Sequence, residues 1–210
     1  MIDIFSGINK QSLPVAITLV FISIFIGYII EKFRSKKFDT TIKKINVIVS
    51  PLTMILFLLL SGFSITPAIK NYILFTILFH ASYCDIKSRE VDDYISVMIV
   101  LTGFIGFKEV NFMPMLLGAL VVFLPQIIMT VFSKSIPIGG ADIKISTACG
   151  FVFGANIGLS SLLIGLLLAV IVNTIVAKCK KQKNISFPFI PYYCCGLIGL
   201  FLFYNIPLIN

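Results

Sequence analysis

Tyr72-Ile-Leu-Phe-Thr-Ile-Leu-Phe-His-Ala-Ser-Tyr-Cys84 carries no charge, and it gives way at once to Asp85-Ile-Lys-Ser-Arg-Glu-Val-Asp-Asp93, which holds four carboxylates and two cations. The first stretch reads as a short membrane helix, because it is continuously apolar and lacks the alternation of a half-buried strand. The second reads as a polar loop at its mouth. Asp85 stands on the border between them.

Runs of the same character lie at about 13 to 30, 45 to 66, 70 to 84, 94 to 107, 113 to 133, 145 to 156, 157 to 177 and 188 to 206. The expected fold is therefore all-α: a polytopic membrane bundle of about eight transmembrane helices with a cytoplasm-facing cavity. It is read as one domain over 1–210, with its first two helices at 13–30 and 45–66 and its catalytic core at about 70–206. Composition agrees, since 58% of the 210 residues are hydrophobic and 12% charged, too few charges to keep a protein surface in water. The runs at 70 to 84, 94 to 107 and 145 to 156 are short for a bilayer, so they tilt or stop where water enters. The first run lacks a strongly basic leader and a small-residue cleavage site before Glu31, and is expected to stay as a membrane helix. Cys84, Cys149, Cys179, Cys194 and Cys195 show neither CxxC spacing nor a histidine at ligand spacing, so neither a zinc site nor a disulfide framework is expected.

The net charge of +8 sits in short clusters between apolar runs rather than in a nucleic-acid-binding patch. Of the 17 Lys and Arg, 14 fall in four segments, Glu31 to Lys44, Asp85 to Asp93, Lys134 to Lys144 and Lys178 to Lys183; the others are Lys10, Lys70 and Lys108. With eight crossings those four segments share one face, which the retention of cations makes cytoplasmic, and both termini lie outside. Glu31 to Lys44 is read as a short basic loop that sets topology and touches anionic lipid headgroups.

Five of the nine acidic residues crowd into two places: Asp85, Glu90, Asp92 and Asp93 in one loop, and Asp142 in another. A carboxylate at the edge of a membrane helix is costly unless paired or given a task. Two held close together cannot both ionise readily and share a proton, so one can take a proton from water while the other donates. Such a pair hydrolyses a peptide bond without metal or covalent intermediate, and no cofactor is needed. For Asp85 the plainer alternative is an interfacial acid among Lys87 and Arg89; for Asp142 it is the N-cap of the helix that follows Gly139-Gly140-Ala141. His80 is read as a packing or interfacial residue ahead of a proton relay, and Gly118, Gly158, Gly165 and Gly196 as sites of close helix packing.

Three motifs resemble those of the prepilin peptidases, or type IV leader peptidases, of the GxGD class of membrane aspartyl proteases. Asp85-Ile-Lys-Ser-Arg-Glu-Val-Asp-Asp93 is similar to the family's first aspartate motif, with Val91-Asp92 where the family has Ile-Pro. Gly139-Gly140-Ala141-Asp142-Ile-Lys144 is similar to the second, with Ala141 in place of glycine, and Phe187-Pro188-Phe189-Ile190-Pro191-Tyr192 resembles the Pro-Phe-x-Pro lead into the last helix. The resemblance implies that Asp85 and Asp142 are catalytic. Gly139, Gly140, Lys144, Lys87, Glu90 and Asp93 are expected to shape the site or bind substrate, with Glu90, Asp92 and Asp93 drawing in a basic leader. It further implies substrates of the prepilin or pseudopilin kind, bearing a basic leader ahead of an apolar helix, and cleavage in the cytoplasmic (inner) membrane. Larger members, which also N-methylate the trimmed pilin, carry two CxxC pairs in the loop after the first helix. Glu31 to Lys44 has no cysteine, so peptidase activity alone is expected. A proton-coupled transporter would also use paired acids and short helices, but it would place them at the midplane in an inverted repeat. A non-catalytic assembly subunit would leave the aspartates as interface charges.

Overall fold

The computed structural model describes residues 12–41, 44–61, 64–106, 111–132, 139–180 and 187–205. Among them are seven α-helices and no strand: α1 (Ser12–Phe38), α2 (Lys44–Leu60), α3 (Ile65–Ser88), α4 (Tyr94–Gly103), α5 (Phe112–Phe132), α6 (Gly140–Lys180) and α7 (Ile190–Asn205). Lys10, Lys43, Lys108, Lys134, Lys181 and Lys183, on which the topology reading leans, lie outside the described residues, as does Ile138. Three helical stretches, Pro14–Phe38, Phe112–Phe132 and Gly140–Cys179, are long and apolar enough to cross a membrane. Their outer faces are apolar too, with Phe21, Phe25, Phe33, Val131 and Phe132 exposed. Such surface is costly against water, at about 25 cal/mol per Å², and is at ease against lipid. The chain is a membrane protein.

The chain forms two compact units, Met1–Thr76 and Ile77–Asn210. In the first, α1 and α2 pack together so closely that a Cβ on Gly27 would lie 2.6 Å from that of Ser50. Ser50 Oγ donates to the Ser23 carbonyl at 2.7 Å and lies 2.5 Å from Tyr72 Oη. Buried hydroxyls away from water have to be satisfied inside the protein, and these three residues satisfy one another. α1 runs on to Phe38 and takes in most of the segment read from sequence as a loop. Glu31-Lys-Phe-Arg-Ser-Lys-Lys37 contains no helix breaker, Arg34 bonds Glu31 one turn back at 3.1 Å, and Lys36 and Lys37 meet the negative end of the helix dipole. Asp39, with φ of 48°, ends it in the left-handed region.

In the second unit, α6 packs against α4, α5 and α7. It is not one straight rod. Gly154 has φ of 79° and ψ of 178°, a conformation that suits glycine, and it divides α6 into two helical arms. Residues eight apart in a straight helix lie about 12 Å apart, yet a Cβ on Gly158 would come within 2.8 Å of Gly150 Cα. The chain therefore folds back at Gly154. Tyr193 Oη lies 3.5 Å from the Ser146 carbonyl on the first arm and 3.3 Å from Ser161 Oγ on the second, so both arms flank α7. The apolar runs separated at 156/157 in the sequence are these two arms.

Small residues make this packing possible. A Cβ on Gly118 of α5 would lie 2.6 Å from Gly154 Cα, one on Gly165 would lie 2.8 Å from Tyr193 Cα, and one on Gly196 would lie 3.1 Å from the Ser161 carbonyl. Gly118→Ala is expected to destabilise the protein by about 1–3 kcal/mol, because its obstacle is backbone. Gly199, a helical glycine with open space at its Cβ, provides the contrast: Gly199→Ala is expected to stabilise by about 0.5–1 kcal/mol. Thermal unfolding of both variants in detergent checks the opposite signs.

Candidate active site

α3 continues one turn past Cys84, so Asp85 lies within its last turn rather than just beyond it. The helix ends because Arg89 adopts φ of 59° and donates its N–H to the Asp85 carbonyl at 3.2 Å, while Ser88 Oγ donates to the Cys84 carbonyl at 2.9 Å. A left-handed residue usually closes a helix as glycine, and here an arginine does so. The Asp85 residue is 7% exposed, and its Oδ2 accepts the Ile190 N–H at 3.1 Å. Ile190 opens α7, whose first N–H groups have no partner within the helix and carry the positive end of its dipole. The Phe189 amide and the Arg89 charge also act on the same carboxylate. Amides and cation favour a negative charge at Asp85, and burial opposes it.

Asp142 sits in the first turn of α6, which begins at Gly140, so it is not the N-cap of that helix. An acid in this turn still complements the helix dipole. Gly139 carries the close contact: a Cβ there would lie 2.7 Å from Asp142 Oδ2, so a larger residue would push the carboxylate aside. Gly140 has open space where its Cβ would be. The Asp142 carbonyl accepts Ser146 Oγ at 2.7 Å, and Ser146 is paired with the amide of Gln126 on α5 at 2.8 and 3.0 Å. That buried pair anchors the first turn of α6 to α5. The charge of Asp85 acts on Asp142, which places the two carboxylates in one electrostatic site made by the end of α3 and the start of α6.

Lys144 bonds Asp93 Oδ1 at 2.7 Å, tying the α3–α4 loop to α6. Asp93 precedes α4 but makes no side-chain cap. Lys87 is exposed in the last turn of α3, and Glu90 is exposed on the loop that follows. His80 lies 3.7 Å from Cys84 Sγ, one turn back along α3. Sequence reasoning named both aspartates and Arg89 beside Asp85, and did not anticipate the Ile190 amide or the Gln126–Ser146 pair. For the first a signal was present, since a proline such as Pro191 inside a first turn marks a helix start and hence free amides.

Residues 72–177, half of the chain, match the model of the type IV leader peptidase family. No curated protein and no solved structure matched the chain. The matched range contains both aspartates with the helix ends that carry them, and the chain belongs to the type IV leader peptidase family.

Proposed function

We propose that the chain is an aspartyl endopeptidase of the cytoplasmic membrane that removes the short basic leader of prepilin-like proteins at the cytoplasmic face, with Asp85 and Asp142 as its catalytic pair. The observation that carries this reading is that two acids at separate helix ends, Asp85 and Asp142, are near enough for the charge of one to act on the other. Asp85 is the better seat for the negative charge, because the Ile190 amide and Arg89 both favour it there. It takes a proton from water as the water oxygen attacks the scissile carbonyl, and Asp142 gives its own proton to the carbonyl oxygen. When the gem-diol collapses, Asp142 recovers that proton and Asp85 passes its proton to the departing amine. The substrate's apolar helix stays in lipid while its leader reaches a wet cavity at the cytoplasmic ends of the helices.

Chain reversal at Gly154 supports this topology, since it returns Lys178 and Lys180 toward the side on which α6 begins. Lys144 and Asp93 hold the two aspartate-bearing segments together. Asp93 bonds Lys144, and Glu90, Asp92 and Asp93 together supply the negative charge that draws in a basic leader.

Co-expression with a prepilin-like substrate tests the pair. Asp85→Asn and Asp142→Asn, each inserted normally in the membrane, are expected to lose about 10²–10⁴-fold or more in cleavage rate; cleavage retained by both would refute the assignment. Neutralising Glu90 and Asp92 together is expected to raise KM about tenfold at low salt, an effect that shrinks at high salt. Asp93→Asn should raise KM less, and a KM indifferent to all three changes would remove the leader-binding role.

A further inference from the structure

The third motif, Phe187-Pro188-Phe189-Ile190-Pro191, has no part in the reaction so far, yet it lies against the buried aspartate. Pro188 and Pro191 carry no N–H, so the two residues between them, Phe189 and Ile190, supply the free amides: the Ile190 N–H bonds Asp85, and the Phe189 amide favours its charge. Ile190 is 1% exposed and its N–H donates to Oδ2 at 3.1 Å from a position 105 residues away along the chain. Phe189 is fixed in turn, because its carbonyl accepts the N–H groups of Tyr192 at 3.0 Å and Tyr193 at 3.1 Å. Tyr193 is clasped by Ser161 and Ser146 of the two α6 arms. The amide pair thus rides on a rigid helix start rather than on a mobile loop.

On the reading of Asp85 as catalytic, we propose that the backbone N–H of Ile190 is a positioning group for the reaction: it fixes the rotamer of Asp85 and keeps the carboxylate charged while it acts on water. Among the charged groups, Arg89, the residue that closes α3, shares the second task, and Asp142 of α6 is the acid on which the Asp85 charge acts. The Ile190 side chain has no part in it.

The fold offers a clean test, because Ile190 is the first residue of α7, where proline is well accommodated. Ile190→Pro deletes one donor at a site whose backbone already suits proline, and Ile190→Ala removes the side chain and keeps the donor. Cleavage of a prepilin-like substrate by Ile190→Pro should fall about tenfold or more relative to Ile190→Ala, as expected for a lost hydrogen bond to a charged group. The acid limb of its kcat/KM profile should move up by about one pH unit, because the carboxylate then protonates more easily. Equal rates and equal acid limbs in the two variants would overturn the proposal, as would an equal loss in both. The thermal stabilities of Ile190→Ala and Ile190→Pro, each with Asp85 present and with Asp85→Ala, form a cycle that needs no activity. Non-additive changes support the bond and additive ones refute it. An unaltered chain that cuts nothing would count against the peptidase reading, and the cycle would still decide whether the amide holds the carboxylate.

Discussion

A polar group within a bilayer has to find its partner inside the protein, and this requirement shapes the chain from end to end. It explains why hydroxyls such as Thr18, Thr130 and Thr174 bond carbonyls of their own helices, and why Ser23, Ser50 and Tyr72 meet in one cluster. Its most consequential case is Asp85. A carboxylate that is nearly closed off from solvent needs donors, and the start of α7 brings them. Three helices that are far apart in sequence thereby converge: α3 supplies Asp85, α6 supplies Asp142, and α7 supplies the amides.

Glycine is the second device. The reversal at Gly154 needs a left-handed residue, and the approach of α5 to α6 needs Gly118 and Gly150 without side chains between them. Where lipid surrounds the helices, apolar surface gives little force for helix association, so close contact and hydrogen bonds carry more of the load. The same packing sets the depth and direction of the first α6 turn, which the Gln126–Ser146 pair fixes from below. The placement of Asp142 therefore depends on buried residues of the neighbouring helix.

The helical class was legible in the sequence from its apolar runs, and the two candidate aspartates stood out because nine acids in 210 residues leave few places for acid chemistry. The extension of α1 was not legible, because hydropathy marks where lipid ends and says nothing of where a helix ends. Residues 31 to 38 continue as helix in polar surroundings. The Asp142 N-cap reading failed because the glycines before it, which suggested a bend, are helical from Gly140 onward. Pairing of Lys144 with Asp93, and of Asp85 with Ile190, joins residues 51 and 105 positions apart. Contacts of that separation are set by tertiary packing, and no local pattern reports them.

Proximity of the two carboxylates is the claim on which the account turns, and site-directed cross-linking in native membranes tests it most directly. With the five natural cysteines replaced, Asp85→Cys and Asp142→Cys would be introduced together and treated with short thiol cross-linkers, alongside an Asp93→Cys and Lys144→Cys pair as a positive control. The account predicts rapid intramolecular linkage of the 85/142 pair. Linkage of the control pair with none between 85 and 142 would contradict it.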